Sequence, residues 1–344
     1  MSAPTFPAHA AQARLVVAMS GGVDSSACAW LLQREGHELI GLFMRNGVHI
    51  EAADAGKKSC CSVNDARDAR MVAAQLGIPF QAVDLKTEFR AVIRHFLAEY
   101  SAGRTPNPCA VCNRDLKFGR LIEFADELGA AGVATGHYAR IAIEDGRVAV
   151  RRGVDRNKDQ SYQLFAVSEA HLARARLPLG GMEKPAVRAL AEQAGLRTAA
   201  KKDSQEICFV PGNDYRRLLE QEGVALHPGE LRDSAGRRLG QHAGTELFTI
   251  GQRKGHGVAG PEPLYVLATE PASGTVVLGS RDECTTRECL IDDLNWIGVD
   301  APARALRAHV QVRYHHEAAP ATIALERAGA RTRARVAFDE PVLA

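Results

Sequence analysis

Several absences narrow this 344-residue chain before any residue is given a role. No apolar run approaches the roughly 20 residues that cross a bilayer, which excludes a membrane-spanning helix. Met1 to Ala13 has no basic stretch ahead of an apolar core; it reads as a loose tail, not an export signal. A formal net charge of only +2 excludes a globally basic nucleic-acid coat, so any such surface must come from local clustering. No internal repeat or low-complexity tract stands out. Cysteines number eight, few for a chain of this length and without a secretory context. That places the protein in a reducing cytoplasm, where an unusual cysteine spacing means catalysis or metal before structural disulfides. The remainder, 46% hydrophobic and 24% charged, is ordinary globular composition with room for two or three domains.

What is present is organised around Ser20-Gly21-Gly22-Val23-Asp24-Ser25-Ser26. The preceding Leu15-Val16-Val17-Ala18-Met19 is an apolar, β-branched run of the kind buried on both faces. Ala27 to Gln33 follows with good helix formers and no breaker before Gly36. Strand, glycine turn and helix aim backbone N–H groups and a positive dipole end at an anion. Adjacent glycines allow a phosphate to come closer than a Cβ would permit. Ser20, Ser25 and Ser26 add hydroxyl donors, and Asp24 is suited to a Mg²⁺ arriving with phosphates. A Walker loop is excluded because the turn has no lysine, and a dinucleotide fingerprint because it lacks three spaced glycines. The turn resembles the SGGxDS pyrophosphate loop of the PP-loop ATPases, which cleave ATP between its α- and β-phosphates. The bland alternative is a Gly-Ser turn opening an ordinary βα unit.

The first half alternates strand and helix signals. Strands are expected at Glu38 to Met44, Phe80 to Leu85 and Ala131 to Thr135. Helices are expected at Ala66 to Leu76, Thr87 to Ala102 and Leu116 to Leu128, the last closed by Gly129. This rhythm predicts an α/β, doubly wound parallel sheet with ligands at the carboxyl ends of its strands. Met44 and Gly136 sit at such ends; Met44 serves equally well as adenine packing or as core. After Asn213 the texture changes to dense Gly and Pro punctuation with short β-like runs at Leu264 to Ala268 and Thr275 to Leu278. His309 to Tyr314 alternates strictly, and Thr322 to Leu325 and Val336 to Phe338 follow as strands. A small linker-like domain and then a β-rich, barrel-like one are expected.

Two cysteine segments carry further chemistry. In Gly103-Arg104-Thr105-Pro106-Asn107-Pro108-Cys109-Ala110-Val111-Cys112-Asn113 the prolines impose an extended loop, with a helix starting just beyond Cys112. That placement would favour a thiolate at Cys112. In Lys201-Lys202-Asp203-Ser204-Gln205-Glu206-Ile207-Cys208-Phe209 two lysines lead to a single thiol, suited to steadying a thiolate or a phosphate. Should Cys112 and Cys208 converge on the nucleotide, they form a pair able to pass sulfur and close a disulfide. Cys28 reads as core. Cys60, Cys61, Cys284 and Cys289 have no interpretable spacing.

SGGVDSS, LFMRN, GRTPNPCAVCNRDLKFG, ATGHYAR, NKDQSYQLF, KKDSQEICF and FTIGQRKG stand in the order found in the tRNA-specific 2-thiouridylases, which this chain resembles from Ser20 to Lys254. The resemblance implies a PP-loop ATP-binding catalytic domain (12–209), a small central tRNA-binding domain (210–275) and a C-terminal β-barrel domain (276–344). It implies ATP with Mg²⁺ bound by Ala18, Met19, Ser20, Gly21, Gly22, Val23, Asp24, Ser25, Met44 and Gly136. Cys208 would carry a persulfide and Cys112 act as partner nucleophile, with Asp24 at the reacting phosphates. Asn107, Pro108 and Cys109 would meet the target uridine. His137, Lys158, Asp159, Gln160, Arg313 and Tyr314 would touch tRNA at the anticodon stem-loop, and a persulfide sulfur-donor protein would be a second partner.

Two departures matter. Many relatives carry aspartate where this chain has Cys109, so Cys109, Cys112 and Cys208 form a possible ligand set for an iron–sulfur cluster; the plain alternative is a spare thiol. Relatives also continue beyond the FDEP segment, so the barrel is expected to lack its last strands. Two other functions compete. A PP-loop ligase delivering nitrogen would not need Cys112 and Cys208. A non-catalytic RNA-binding protein would use the seven arginines that face four acidic residues after Ala303, a run that also suits a solvated barrel surface.

Overall fold

The computed structural model describes residues 12–47, 63–203, 207–210, 214–329 and 331–343. The N-terminal tail, Cys60, Cys61 and Ser204 to Glu206 lie outside the described residues. The chain divides into two compact units. One comprises Met1–Ile93, Pro108–Asp214 and Asn295–Asp300; the other comprises Arg94–Asn107, Tyr215–Leu294 and Ala301–Ala344.

In the first unit the order is β1 (Arg14–Ala18), α1 (Val23–Arg34), β2 (Glu38–Arg45), α2 (Val63–Leu76), β3 (Phe80–Asp84) and α3 (Lys86–Ser101), whose last turns belong to the second unit. There follow α4 (Pro108–Cys112), a π-helical stretch Asn113–Arg120, α5 (Leu121–Glu127) and β4 (Gly132–Ala134). A hairpin β5 (Ala139–Glu144) and β6 (Arg147–Arg152), α6 (Glu169–Leu172), β7 (Ala175–Arg176) and α7 (Lys184–Gln193) complete it. The five-stranded sheet runs β3-β2-β1-β4-β7, with every pair parallel. Val16 lies opposite Ile40 on one side and Val133 on the other. The strand order therefore reverses at β1, and a switch point of that kind opens a crevice at the carboxyl end of the strand, where Ser20 begins the glycine turn.

Leu15, Val16 and Val17 are fully buried, as an apolar run in a covered parallel strand should be. Leu15 and Val17 pack with Ala27, Leu32, Val72 and Val187 of the surrounding helices, while α5 packs on β1 and β4. Cys28 is in this core, and its thiol is pushed up by burial. Asp145 (φ 51°) and Gly146 (φ 78°) turn the hairpin, a pair suited to two left-handed residues in succession.

The second unit holds α8 (Tyr215–Gln221) and two four-stranded sheets. The first is β8 (Gly229–Asp233), β9 (Arg238–His242), β10 (Tyr265–Glu270) and β11 (Thr275–Gly279), ordered β10-β11-β8-β9 over a core of Leu231, Phe248, Val266, Val276 and Leu278. The second is β12 (Thr285–Ile291), β13 (Leu306–Val310), β14 (Ala319–Ala328) and β15 (Arg331–Leu343), antiparallel in the order β12-β15-β14-β13.

Two local expectations are corrected. The helix does not start beyond Cys112: it starts at Pro108, whose fixed φ and missing N–H suit a first helical position. The alternating run at His309 does not extend to Tyr314. The strand ends at Val310, and the chain turns through Arg313, Tyr314 and a left-handed His315 (φ 66°).

Candidate active site

The glycine turn is built by its own hydroxyls. Ser25 Oγ accepts from Ser20 N at 3.1 Å and lies 3.2 Å from Ser20 Oγ, while Ser26 Oγ donates to Gly22 O at 2.8 Å. Gly21 has φ +72°, and a Cβ there would run into the Asp65 carbonyl. Gly22 caps α1 in extended conformation with no side-chain hydrogen bond to the first-turn amides. A helix of 12 residues thus opens uncapped behind a turn with no Cβ in the way, which fits a pyrophosphate. Gly136, at the end of β4, crosses so close that a Cβ would meet the Asp24 backbone at 2.8 Å. Ala18 ends β1, Met19 is buried in the core beside it, Val23 opens α1, and Met44 lies in β2, partly buried.

Asp24, in the first turn of α1, is clamped. Lys184 Nζ donates to both its carboxylate oxygens at 2.7 and 2.8 Å, and Tyr138 Oη donates to Oδ1 at 2.7 Å. Burial, and then the Asp24 charge, push the Tyr138 phenol up. Oδ2 of Asp24 accepts from Lys184 and keeps a second lone pair, so a metal ion could be met there without displacing the lysine; no step is assigned to one. Lys184 also reaches Asp203 Oδ1 at 2.9 Å; Asp203 in turn receives Lys158 at 2.9 Å and Arg188 at 2.5 Å. Burial alone would raise the Asp203 carboxyl, but Lys158 and Lys184 outweigh it and hold it at about 2. Two residues earlier, Lys201 Nζ donates to Gly21 O at 2.8 Å and to Asp65 and Asp68 at 2.7 Å each. The lysine read as an aid to a thiolate or phosphate is instead a tie between the Cys208 segment and the glycine turn.

Cys109 is exposed in the first turn of α4, while Cys112, one turn further, is half-buried. The helix-start argument made for Cys112 therefore belongs to Cys109. Asn113 is buried and donates from Nδ2 to Gln163 O at 2.9 Å, which fixes this helix against the Ser161–Leu164 turn. Cys208 is half-buried, next to a buried Phe209 that packs edge-on against Phe89 at 5.7 Å. Among the described residues no three His, Cys, Asp or Glu side chains gather closely enough to hold a metal ion. Cys109, Cys112 and Cys208 are thus not brought together as ligands, and no step is derived through a cluster.

His137 is only 6% exposed. Lys117 Nζ, which can only donate, lies 3.4 Å from its Nε2, so the ring keeps its proton on Nδ1 and gives it to Thr135 Oγ1 at 2.6 Å. Burial first, and then the Lys117 charge, hold the imidazole well below its ordinary value. Asp159 accepts from the amides of Gly153 and Ser161, and Gln160 Oε1 accepts from Tyr138 N, so both side chains fold their own loop. Pro108 is buried at the start of α4, and Asn107 falls in the second unit. Arg313, also in the second unit, donates to Ile250 O at 3.0 Å, and the Tyr314 ring lies 3.9 Å from that of His315, tilted by 40°. Sequence reasoning missed Tyr138, Lys184, Asp65 and Asp68. Tyr138 stood inside a quoted motif; Lys184 had no local signal at all.

The doubly wound sheet, the uncapped glycine turn at its switch point and the clamped aspartate define a PP-loop ATP-utilising enzyme class. The families described as tRNA methyl transferase HUP domain, tRNA methyl transferase PRC-barrel domain and Aminomethyltransferase beta-barrel domain match residues 13–212, 217–280 and 286–344. The chain is 48% identical to the tRNA-specific 2-thiouridylase MnmA of Geobacter metallireducens, over 96% of this chain and 90% of that one. It is 45% identical to its counterpart from Solibacter usitatus, over 95% and 92%. Among solved structures, the U34-tRNA thiolase NcsA of Methanococcus maripaludis with its [4Fe-4S] cluster is similar at a TM-score of 0.36 and 19% identity, covering 62% of this chain and 67% of that one. The chain belongs to the tRNA-specific 2-thiouridylase family.

Proposed function

We propose that this chain is a tRNA-uridine 2-sulfurtransferase that activates the wobble uridine with ATP and replaces its 2-oxygen by sulfur. The observation that carries this is the ion-pair chain Asp24–Lys184–Asp203, which ties the nucleotide turn to the segment leading to Cys208.

The chemistry follows from the leaving group. A carbonyl oxygen leaves only when esterified, and adenylation of the uridine 2-oxygen does this while pyrophosphate is released at Ser20 to Ser26. The outer sulfur of a Cys208 persulfide attacks C2, and AMP departs with the oxygen. The Cys112 thiolate then attacks the inner sulfur, freeing the thiocarbonyl and leaving a Cys112–Cys208 disulfide for an external reductant. A persulfide-bearing protein supplies the sulfur. The target base must be turned out of the anticodon stem-loop toward Asn107, Pro108 and Cys109, in the manner of single-stranded RNA recognition. Lys158, Arg313 and Tyr314 are offered as tRNA contacts. The buried His137 and the internally bonded Asp159 and Gln160 are offered as supports of the loops that meet tRNA. We read the domains as 12–209, 210–275 and 276–344, in a cytoplasmic protein; among the described residues no helix is long and apolar enough to cross a membrane. Nucleoside mass spectrometry of unmodified tRNA after incubation with ATP, a persulfide source and this protein should reveal 2-thiouridine. Its absence, with ATP still consumed, would sink the proposal.

A further inference from the structure

FTIGQRKG, Phe248 to Gly255, has no part in the chemistry proposed above, although it lies on a closely built turn of the second unit. Phe248 is buried in the core under the β10-β11-β8-β9 sheet, and Thr249 Oγ1 lies 3.4 Å from the hydroxyls of both Tyr100 and Tyr215. The backbone is fixed beside β10: Gly251 N donates to Val266 O at 2.8 Å, and Val266 N donates to Gln252 O at 3.0 Å. Gln252 Oε1 accepts from Thr249 N at 3.1 Å, and its Nε2 donates to Lys254 O at 2.8 Å. His256 Nδ1 accepts from Val258 N at 3.2 Å, so its proton is on Nε2, 3.1 Å from Arg253 O. Arg313 donates to Ile250 O at 3.0 Å. The side chains of Phe248, Thr249 and Gln252 are thus engaged within the fold, and the carbonyls of Arg253 and Lys254 have donors.

The Arg253 and Lys254 side chains remain outside. Both residues are exposed, and among the described residues neither is in an ion pair. Arg232, Arg237, Arg307, Arg333 and Arg335 of the same unit, by contrast, each meet a carboxylate within 2.8 Å. We propose that this turn is a phosphate clamp, in which Arg253 and Lys254 hold the sugar–phosphate backbone of the tRNA outside the target nucleotide; this rests on the reading of the chain as a tRNA sulfurtransferase. Two adjacent exposed cations suit a polyanion, whose condensed counterions are released on contact. A net charge of +2 leaves the attraction to such local clusters. Arg313 adds a third positive charge on the same turn, because its partner there is a neutral carbonyl. A turn held by this many internal bonds loses little backbone entropy when a ligand arrives. Contacts of this kind fix the register of the RNA and carry no sequence information.

The test is binding of labelled, unmodified tRNA to the full chain, followed by fluorescence anisotropy between about 50 and 200 mM salt. The double variant Arg253→Gln, Lys254→Gln should bind on the order of tenfold more weakly at about 100 mM salt, and its plot of log Kd against log salt should flatten by about 1.5 to 2. Arg232→Gln, which removes an arginine already paired with Glu230, should leave the slope where it was. In the unaltered protein, bound tRNA should slow acetylation of Lys254 several-fold, read by peptide mass spectrometry without any variant. An unchanged slope in the double variant, or a Lys254 that tRNA does not protect, overturns the clamp alone when the parent still binds and thiolates tRNA. A defect confined to sulfur transfer from the persulfide donor assigns the turn to a protein partner and also overturns the clamp. A parent that does not bind tRNA overturns the clamp together with the sulfurtransferase reading.

Discussion

Lys201 Nζ sits 2.8 Å from the carbonyl oxygen of Gly21, joining residues 180 positions apart in the chain. The same ammonium bridges Asp65 and Asp68, three residues apart on α2. The segment that leads to Cys208 is therefore part of the wall of the nucleotide turn before any ligand arrives.

Lys201→Met should destabilise the protein by about 1–2 kcal/mol, a value kept small because the lysine is partly solvated and its pairs are screened. Burial alone would lower the Lys201 ammonium, but the bonds to Asp65 and Asp68 raise it above its ordinary value. Its contribution should then be complete below the unfolded pKa of about 10.4 and fade as pH climbs through the higher folded value. Urea midpoints of the two proteins measured from pH 8 to 11 check this. A gap that stays constant across that range would argue against the assignment.

The two glycines of the turn should separate folding from binding. Gly21→Ala places a Cβ against the Asp65 carbonyl at a positive φ, so it should lower stability by about 1–3 kcal/mol. Gly22 has ordinary extended geometry (φ −95°), and a Cβ there meets only Ser20 Oγ at 3.5 Å. Gly22→Ala should melt where the parent does and yet bind ATP at least about tenfold more weakly, because the methyl occupies the phosphate approach. Thermal melting and calorimetric titration on both variants separate the outcomes; unweakened ATP binding by Gly22→Ala would move the phosphate elsewhere.

The thiols should divide by role. Cys112→Ser and Cys208→Ser are each expected to abolish 2-thiouridine formation while ATP binding is retained. Cys109→Asp should keep activity if Cys109 is one of two acceptable residues beside the uridine. Nucleoside analysis with each variant decides. Full yield from Cys112→Ser would confine the sulfur chemistry to Cys208.

His137 gives a pH signature of opposite sign to Lys201. Its imidazole stays neutral in the fold because of burial and Lys117, whereas in the unfolded chain it takes up a proton near pH 6.5. Stability should therefore fall as pH drops below about 6.5, and His137→Gln should flatten that part of the curve. Unfolding curves at pH 5 and 7.5 on both proteins are sufficient; an equal acid loss in the variant would clear His137 of the effect.

The elements legible in the sequence were those written in neighbouring residues. Leu15 to Met19 announces a covered strand by unbroken apolar character, and Ser20 to Ser26 announces the turn into α1 by its paired glycines and hydroxyls. What escaped was of two kinds. Some local signs were outweighed by stronger ones: Pro108 was read as loop because Pro106 and Asn107 precede it, although proline also opens helices. Likewise, Asp145-Gly146 is a local hairpin signal with no strong alternation on either side, and the alternation at His309 masks the turn at His315. Other features have no local sign. Lys184 looks like any first-turn lysine, and only the fold brings it within 2.7 Å of a carboxylate 160 positions earlier.

The wide π-helical stretch Asn113–Arg120 acts as a phase shifter within the long helix that carries both Cys109 and Cys112. In an ordinary α-helix, residues five apart are about 140° out of line. Here Asn113 and Phe118 are both buried, one bonded to the Gln163 carbonyl and the other packed 5.8 Å from His137. Gly119 marks the wide turn: a Cβ there would come within 2.8 Å of the Arg114 carbonyl, five residues back. Winding the same residues as a regular α-helix, with none removed, would rotate its two ends against each other by about 100°, the turn of one residue. The thiols upstream would then swing away from the bearing that Phe118 and Leu121 downstream impose. The direction in which Cys112 faces is thus stored as one surplus residue in a helix, at a distance from the thiol itself.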